Sequence, residues 1–406
     1  MADEKMGVPK LRLPGFADPW ERRELGELFT ERSEKGRDDL PALTIIQGGG
    51  TIRRSESERI LQYDKKSLNT YKVVNPDDFI VHLRSFEGGL EKATCCGLVS
   101  PAYHVFRGDQ VNADFYYLYF RSSHFTEIDL KPYIYGIRDG RSIDIQGLKK
   151  MPIPWTSAEE QRQIGALFGE LDDLIALRQR ELDHLQMQKR GLIQKMFPKD
   201  GSRVPELRFP GFTDPWEQRR LGELCSFAKG RGYSKADICD SGTPLILYGR
   251  LYTRYQTRIE EVDTFAAEQD GSLFSKGCEV IVPAFGETAE DIAVASSVRS
   301  PGIMLGGDLN VVTPSREIDP DFLAIGITYG RAHSDLAKRA QGKSVVHIHG
   351  EDIADMSFTY PGIREQRAIS SFILNFDDLI ALHLRELNHL KLQKKALIQQ
   401  MFVWGD

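Results

Sequence analysis

Hydrophobic side chains recur at alternating intervals of three and four residues through two stretches of the chain, 159–197 and 364–402. This heptad spacing is typical of long helices that pack against one another along a narrow apolar seam. Neither stretch contains proline, and at roughly 1.5 Å per residue each would form a helix about 58 Å long. The predicted seam residues are Ile164, Phe168, Leu171, Ile175, Leu182, Leu185, Leu192, Met196, Ile369, Ile373, Phe376, Ile380, Leu387, Leu390, Leu397 and Met401.

The two stretches repeat each other 205 positions apart (369 − 164). The polar interruptions of the seam are repeated too, at Arg178 and Lys189 in the first stretch and at His383 and Lys394 in the second. Polar residues in a seam reduce stability but select register and partner. We therefore predict that the two helices pair with each other as an antiparallel coiled coil.

A second repeat lies outside the helices, where Val8–Leu28 returns as Val204–Leu224 at an offset of 196 (204 − 8). Two long repeated blocks indicate a tandem duplication. The predicted fold is α+β, with two similar mixed α/β domains joined by the two helices in a pseudo-twofold arrangement. The predicted boundaries are 1–157 for the first domain, 158–200 for the first helix, 201–357 for the second domain and 358–406 for the second helix.

Between the repeated blocks, the two regions 29–151 and 225–356 share a layout of short strands and Gly turns but differ in sequence. Asp114 and Asp321 are predicted to cap corresponding helices. Trp20 and Trp216, which the repeated blocks share, are expected to pack rather than to stack on bases. A common scaffold with divergent loops is what two sites reading two different targets would require.

Length, composition and charge limit the classes of protein to which this chain could belong. The 406 residues are 41% hydrophobic and 28% charged, which is ordinary for a soluble protein with more than one core. No apolar run reaches membrane-spanning length, and the five cysteines match neither a disulfide framework nor a zinc motif, so the cytoplasm is the expected location. A net charge of −6 argues against a protein that coats nucleic acid by itself, but it is compatible with local basic loops.

The short motifs that suggest catalysis are incomplete. Gly342-Lys343-Ser344 lacks the first glycine of a phosphate-binding loop, because Ala337 occupies that position. Asn75-Pro76-Asp77 has aspartate in place of the second proline of an adenine methyltransferase signature. His347 and His349 could share one face of a strand, but no third metal ligand is indicated. We therefore predict a non-catalytic chain with no metal site.

The remaining candidate chemistry consists of basic and polar residues near Gly-rich loops, which suit contacts with base edges and phosphates. The candidate DNA-contacting residues are Gln47, Arg53, Arg54, Arg84, Arg138 and Arg141 in the first region, and Lys229, Arg231, Tyr233, Arg250, Arg254, Arg258, Gln341 and Lys343 in the second. For any one of them, a solvated surface role is the alternative.

Over essentially its whole length the chain resembles the specificity subunits of type I restriction–modification systems. The resemblance rests on the duplicated half, on PGFADPW and PGFTDPW each followed by LGEL, and on a Pro followed by Glu-Gln-Arg before each helix. The last motif comprises Pro154, Glu160, Gln161 and Arg162, and again Pro361, Glu365, Gln366 and Arg367.

The resemblance implies two target recognition domains, each reading one half of an interrupted asymmetric site in double-stranded DNA. It also implies spacer helices that bind two methylation subunits, which restriction subunits then join. S-adenosylmethionine, ATP and Mg would belong to those partners, and helix length would set the spacing of the half-sites. The main alternative is a coiled-coil scaffold that binds only proteins; a weaker one is an enzyme acting alone, which the missing motifs disfavour.

Overall fold

A computed structural model describes residues 6–57, 65–136, 141–199, 202–288, 292–339 and 346–402. The chain divides into two compact units. Unit 1 comprises Met1–Arg178 and Glu386–Asp406, and unit 2 comprises Gln179–Arg385. Each unit therefore contains one repeated block, one region of strands and short helices, and a part of both long helices.

The two long helices span Ala158–Met196 and Ile363–Met401, 39 residues each. Both begin and end within one residue of the predicted stretches, which confirms the two long helices of the predicted fold. Every predicted seam residue is buried or half-buried. The leucines on other faces are more open, such as Leu177 at 45% and Leu392 at 65% exposed.

Within each unit the two helices run antiparallel. In unit 2, Lys189 pairs with Asp377 at 2.5 Å and Glu181 lies 4.0 Å from His383, so residue numbers rise along one helix as they fall along the other. In unit 1, Lys394 Nζ lies 2.6 Å from Asp172 Oδ2. This is the same ion pair shifted by 205 positions. The two lysines that interrupt the predicted seam thus form equivalent ion pairs with the opposite helix, and these pairs define the register.

The regions 29–151 in unit 1 and 225–356 in unit 2 are called the recognition regions below, and that of unit 1 contains short antiparallel strands. A sheet of three strands joins the repeated block to the segment before the first long helix, and a four-stranded sheet and three strand pairs follow. The sheets contain Met6–Gly7, Trp20–Glu24 and Pro152–Trp155, and Thr30–Arg32, His104–Arg107, Phe79–Val81 and Glu91–Lys92. The strand pairs are Leu43–Ile46 with Gly50–Arg53, Lys72–Val74 with Gly97–Val99, and Ile134–Tyr135 with Ser142–Ile143. The short helices are Leu25–Leu28, Ser85–Gly88, Ala113–Phe120 and Ile145–Lys149.

Unit 2 has larger sheets on the same plan. One five-stranded sheet contains Cys225–Lys229, Leu309–Pro314, Glu279–Pro283, Ser296–Val298 and Arg258–Ile259. The other contains Ile238–Cys239, Phe265–Ala266, Thr243–Ile246, Pro301–Leu305 and Phe274–Lys276. The strand pairs are Glu217–Arg220 with Ser357–Tyr360, and Phe285–Gly286 with Val346–His347. The short helices are Leu221–Leu224, Arg250–Thr253, Pro320–Tyr329, Arg331–Arg339 and Gly350–Ala354.

The end of a long helix closes the core of each unit. In unit 1, Phe402 packs against Trp20 and Phe115 with ring centroids 6.0 and 5.6 Å apart. In unit 2, Phe197 stacks on Phe322 at 5.3 Å and meets Trp216 at 5.8 Å. Both tryptophans are buried, so they pack inside the protein and are not available to stack on bases.

The helix caps correct one expectation. Asn112, not Asp114, caps Ala113–Phe120 by accepting a hydrogen bond of 2.8 Å from the Phe115 amide. Asp319, not Asp321, caps Pro320–Tyr329 in the same way. An N-cap side chain must reach the amide three residues on, and the position two residues earlier satisfies this geometry in both units.

Candidate nucleic-acid interface

The Glu of the Glu-Gln-Arg motif fastens the repeated block to the long helix. In unit 1 the buried Glu160 accepts hydrogen bonds from Arg12 at 2.8 and 2.9 Å and from Trp20 Nε1 at 3.0 Å. The bond to Glu160 raises the pKa of Arg12 above its ordinary value. In unit 2 the buried Glu365 holds Arg208 with bonds of 2.7 and 2.8 Å.

The Gln of the motif fastens the recognition region to the same helix. Gln161 accepts a hydrogen bond of 3.0 Å from the Asn112 amide and donates one of 2.7 Å to the Thr156 carbonyl. Gln366 does the same with the Asp319 amide at 2.8 Å and the Pro361 carbonyl at 2.7 Å. Each motif therefore holds the N-terminus of one short capped helix, Ala113–Phe120 or Pro320–Tyr329, against one long helix.

The predicted DNA-contacting residues of unit 1 differ in solvent exposure. Gln47, Arg53, Arg84 and Arg141 are exposed, and the guanidinium of Arg141 lies over Phe86, 4.4 Å from the ring centroid. Arg54 is half-buried and donates to the Leu43 carbonyl at 3.1 Å, which ties it to the strand pair that carries Gln47. Arg138 lies outside the described residues.

A histidine beside these loops is held neutral. Burial, together with the nearby charges of Arg121 and Arg84, lowers the pKa of His82 to about 4. His82 therefore adds no positive charge to this surface at neutral pH.

In unit 2 the surface candidates are Lys229, Arg231 and Arg254, all of which are exposed. Arg254 forms an ion pair with Asp263. Arg250 is largely buried, at 10% side-chain exposure, and forms an ion pair with the same carboxylate at 2.8 Å. Gln341 and Lys343 lie outside the described residues.

Tyr233 requires a correction. It is 8% exposed, packs with Leu245 and Met304, and bonds through its hydroxyl to Ser272 at 2.6 Å. A side chain enclosed in this way cannot reach a base without unfolding its loop, so we omit Tyr233 from the proposed contacts. Its backbone φ of +60° lies in the left-handed region, which is uncommon for a residue other than glycine.

A cleft in unit 1 joins a predicted loop to the end of the second long helix. Its volume is about 420 Å³, and its lining includes Gln47, Arg121, Lys391, Lys394 and Lys395. Arg121 forms an ion pair with Glu91, and Lys394 forms one with Asp172. The helix lysines extend the basic surface of the recognition region beyond the loops named from sequence.

A larger cleft in unit 2 lies beside the start of the second long helix. Its volume is about 630 Å³, and its lining includes Arg258, Arg299, Arg316 and Arg367. Only Arg258 was among the predicted contacts. Arg367 could have been found as the third residue of the Glu-Gln-Arg motif, but Arg299 and Arg316 carry no motif and become neighbours only through the fold.

The described residues contain no group of three or more His, Cys, Asp or Glu side chains placed to hold a metal ion. His347, one of the two histidines considered from sequence, packs its ring 4.7 Å from that of Phe285. Among the helices of the described part, none combines the length and apolar character that crossing a membrane requires.

Known proteins have a similar sequence and architecture. Residues 213–392 match the family model described as type I restriction modification DNA specificity domain. The second half of the chain is thus similar to the DNA specificity domain of type I restriction–modification systems. The prediction drawn from the repeated blocks and the Glu-Gln-Arg motif is thereby confirmed.

Two similar proteins come from Methanocaldococcus jannaschii. The type I restriction enzyme MjaVIII specificity subunit is 20% identical over 267 residues, which are 63% of this chain and 62%, less than two thirds, of that protein. The putative type I restriction enzyme MjaX specificity subunit is 20% identical over 414 residues, covering 96% of this chain and 94% of the relative.

Solved structures share the fold. The S subunit of a type I restriction–modification system from M. genitalium matches 98% of this chain and 100% of its own length, with a TM-score of 0.60 and 16% identity. A chain from a structure on complex assembly and conformational transition of the type I R-M system matches with a TM-score of 0.56, also at 16% identity, over 97% of this chain and 99% of its own. The two α/β regions and two long helices are therefore a fold that this chain shares with these solved structures.

Proposed function

We propose that this chain is the DNA-reading subunit of a type I restriction–modification assembly, in which its two recognition regions each read one half of an interrupted, asymmetric site. One observation supports this most directly. The same Glu and Gln anchors recur in both units, whereas the loops they position differ in sequence. Loops of different sequence that are positioned by the same anchoring bonds could read two half-sites of different sequence.

We further propose that the chemistry belongs to the partners. Two adenine methylation subunits and the restriction subunits would bind S-adenosylmethionine, ATP and Mg, while this chain selects the DNA sequence without catalysing a step. The cytoplasm is the proposed location, because chromosomal DNA and these partners would be accessible there.

A repeated apolar surface supports two copies of one partner. In unit 1 the long helices expose Leu174, Leu177 and Leu392 at 38%, 45% and 65%. In unit 2 the residues shifted by 205 positions, Leu379, Leu382 and Met187, are exposed at 39%, 48% and 73%. Large apolar side chains that recur on helix surfaces are typical of protein interfaces. We assign each trio to one methylation subunit.

Charge introduced into one trio should remove one partner. We expect Leu174→Glu with Leu177→Glu to weaken the binding of one methylation subunit by at least about 2 kcal/mol, roughly a 30-fold loss of affinity. Leu379→Glu with Leu382→Glu should have the same effect on the other subunit. The measurement is the subunit stoichiometry of the purified complex by native mass spectrometry.

The matched control is Leu83→Glu, at a leucine that is 70% exposed and belongs to neither long helix. It should retain two methylation subunits. A complex that kept both partners after all four helix substitutions would contradict the assignment.

The function itself is tested by exchanging 29–151 for the equivalent region of a relative and mapping methylated adenines in cells. We expect one half of the methylated motif to change and the other half to stay the same. If this chain is instead a scaffold that binds only proteins, the motif will not depend on the exchange. A change in both halves would argue against independent readers.

A further inference from the structure

The arginine cleft of unit 2 holds more positive charge than the fold uses. Arg258 forms an ion pair with the buried Asp321, which Ser297 also contacts, and Arg299 lies 4.0 Å from the same carboxylate. The other carboxylate in the lining, Asp319, is occupied as a helix cap and by the Ser370 hydroxyl.

Arg316 and Arg367 are different. Both are exposed, and neither makes an ion pair or side-chain hydrogen bond with another described residue. In the Glu-Gln-Arg motif, Glu365 and Gln366 are buried and bonded within unit 2, whereas Arg367 points into the cleft beside the first turn of the long helix. Asp321 already pairs with Arg258 and Asp319 serves as a helix cap, so the four arginines and two aspartates of the lining leave a net positive charge that favours an anion.

We propose that Arg316 and Arg367 bind a phosphate of the DNA strand that flanks the half-site read by unit 2. The inference rests on the proposed function and adds a contact that is independent of sequence. Guanidinium groups bind phosphate oxygens through paired N–H donors, and the positive end of the helix dipole at Ile363 favours an anion at the same place. A cleft of about 630 Å³ leaves room for a backbone phosphate with its sugars.

The equivalent positions of the two repeats differ in charge at this cleft. Counted from the two helix caps, Asp109 stands in unit 1 where Arg316 stands in unit 2. Asp109 forms an ion pair with Arg32 at 3.3 Å, and Asp114, the counterpart of Asp321, is exposed and forms an ion pair with Lys92. Arg162, the counterpart of Arg367, is paired with Glu159. The same place in unit 1 therefore has carboxylates instead of unpaired arginines.

The test uses the complete methylation complex and a duplex that carries its mapped motif. Binding is measured as a function of salt concentration for wild type, for R316Q with R367Q, and for R162Q as the matched control. Loss of one phosphate contact should lower the slope of log affinity against log salt by about one, leaving the motif unchanged. R162Q should keep the wild-type slope, and R316K with R367K should keep most of it because lysine also binds phosphate as a point charge.

Each other result overturns the inference. An unchanged slope in the double variant means that the cleft does not contact DNA. An equal decrease of the slope in R162Q means that the effect comes from the loss of positive charge in general and not from a contact in the cleft. Loss of a methylation subunit from the purified variant means that the arginines dock a protein. If the wild-type complex does not prefer the motif duplex over a scrambled one, the proposed function fails, which is distinct from failure of the cleft alone.

Discussion

Leu387→Asp is expected to lower the free energy of unfolding by at least about 3 kcal/mol, because it places an unpaired carboxylate at a fully buried helix position. Leu387 is 1% exposed on the second long helix, and its counterpart Leu182 on the first is 3% exposed. Leu182→Asp should therefore have a similar effect. Urea unfolding followed by helical circular dichroism measures both.

Leu392→Asp is the control within the same helix. Leu392 is 65% exposed, so the new charge stays in water and the expected change is within about 0.5 kcal/mol. Equal stability of the Leu387 and Leu392 variants would show that position 387 does not lie in the seam. The half-buried seam residues Leu185 and Leu390 should show intermediate losses.

The second large effect is expected at the anchor of unit 1. Glu160→Ala removes the acceptor that Arg12 and Trp20 share and leaves the half-buried guanidinium without its carboxylate. Breaking a buried charge pair by deleting one partner typically costs about 3–5 kcal/mol. We expect this loss in the thermal unfolding of the chain, followed by circular dichroism.

Glu159→Ala is the adjacent control. Glu159 is 47% exposed and pairs with Arg162 on the helix surface, so its removal should cost less than about 1 kcal/mol. Glu365→Ala should fall between the two, because Arg208 keeps a second bond of 2.6 Å to the Asp214 carbonyl. If Glu160→Ala proved as mild as Glu159→Ala, the motif would have a role other than fastening the repeated block.

These two sites differ in how far they were predictable. The long helices and their apolar seam follow from local information, since heptad periodicity expresses helix geometry directly. Their lysines, predicted only as interruptions, find their acidic partners at Asp172 and Asp377. The Glu-Gln-Arg motif indicated a family, whereas its bonds to Arg12 and Asn112 join residues about 50 to 150 positions apart and could not be derived from spacing.

The DNA-contact candidates show the same division. Sequence located them near Gly-rich loops, and Gln47, Arg53, Arg84, Arg141, Lys229, Arg231 and Arg254 are indeed on the surface, where base contact stays a prediction. Sequence could not separate Arg250, which is mostly buried in an ion pair with Asp263, from Arg254, which pairs with the same carboxylate but stays exposed. The dependence of half-site spacing on helix length also stays a prediction.

By itself, the sequence determined the duplication, the two long helices with their apolar seam, and the resemblance to type I specificity subunits, because each is recorded in periodicity or in short repeated motifs. Only the tertiary structure decided that Tyr233 is enclosed and that Arg316 and Arg367 meet Arg258 and Arg299 around one cleft. The reason is physical. Whether an arginine is available to an anion depends on the carboxylates that folding brings within a few ångströms of it, and those come from distant parts of the chain.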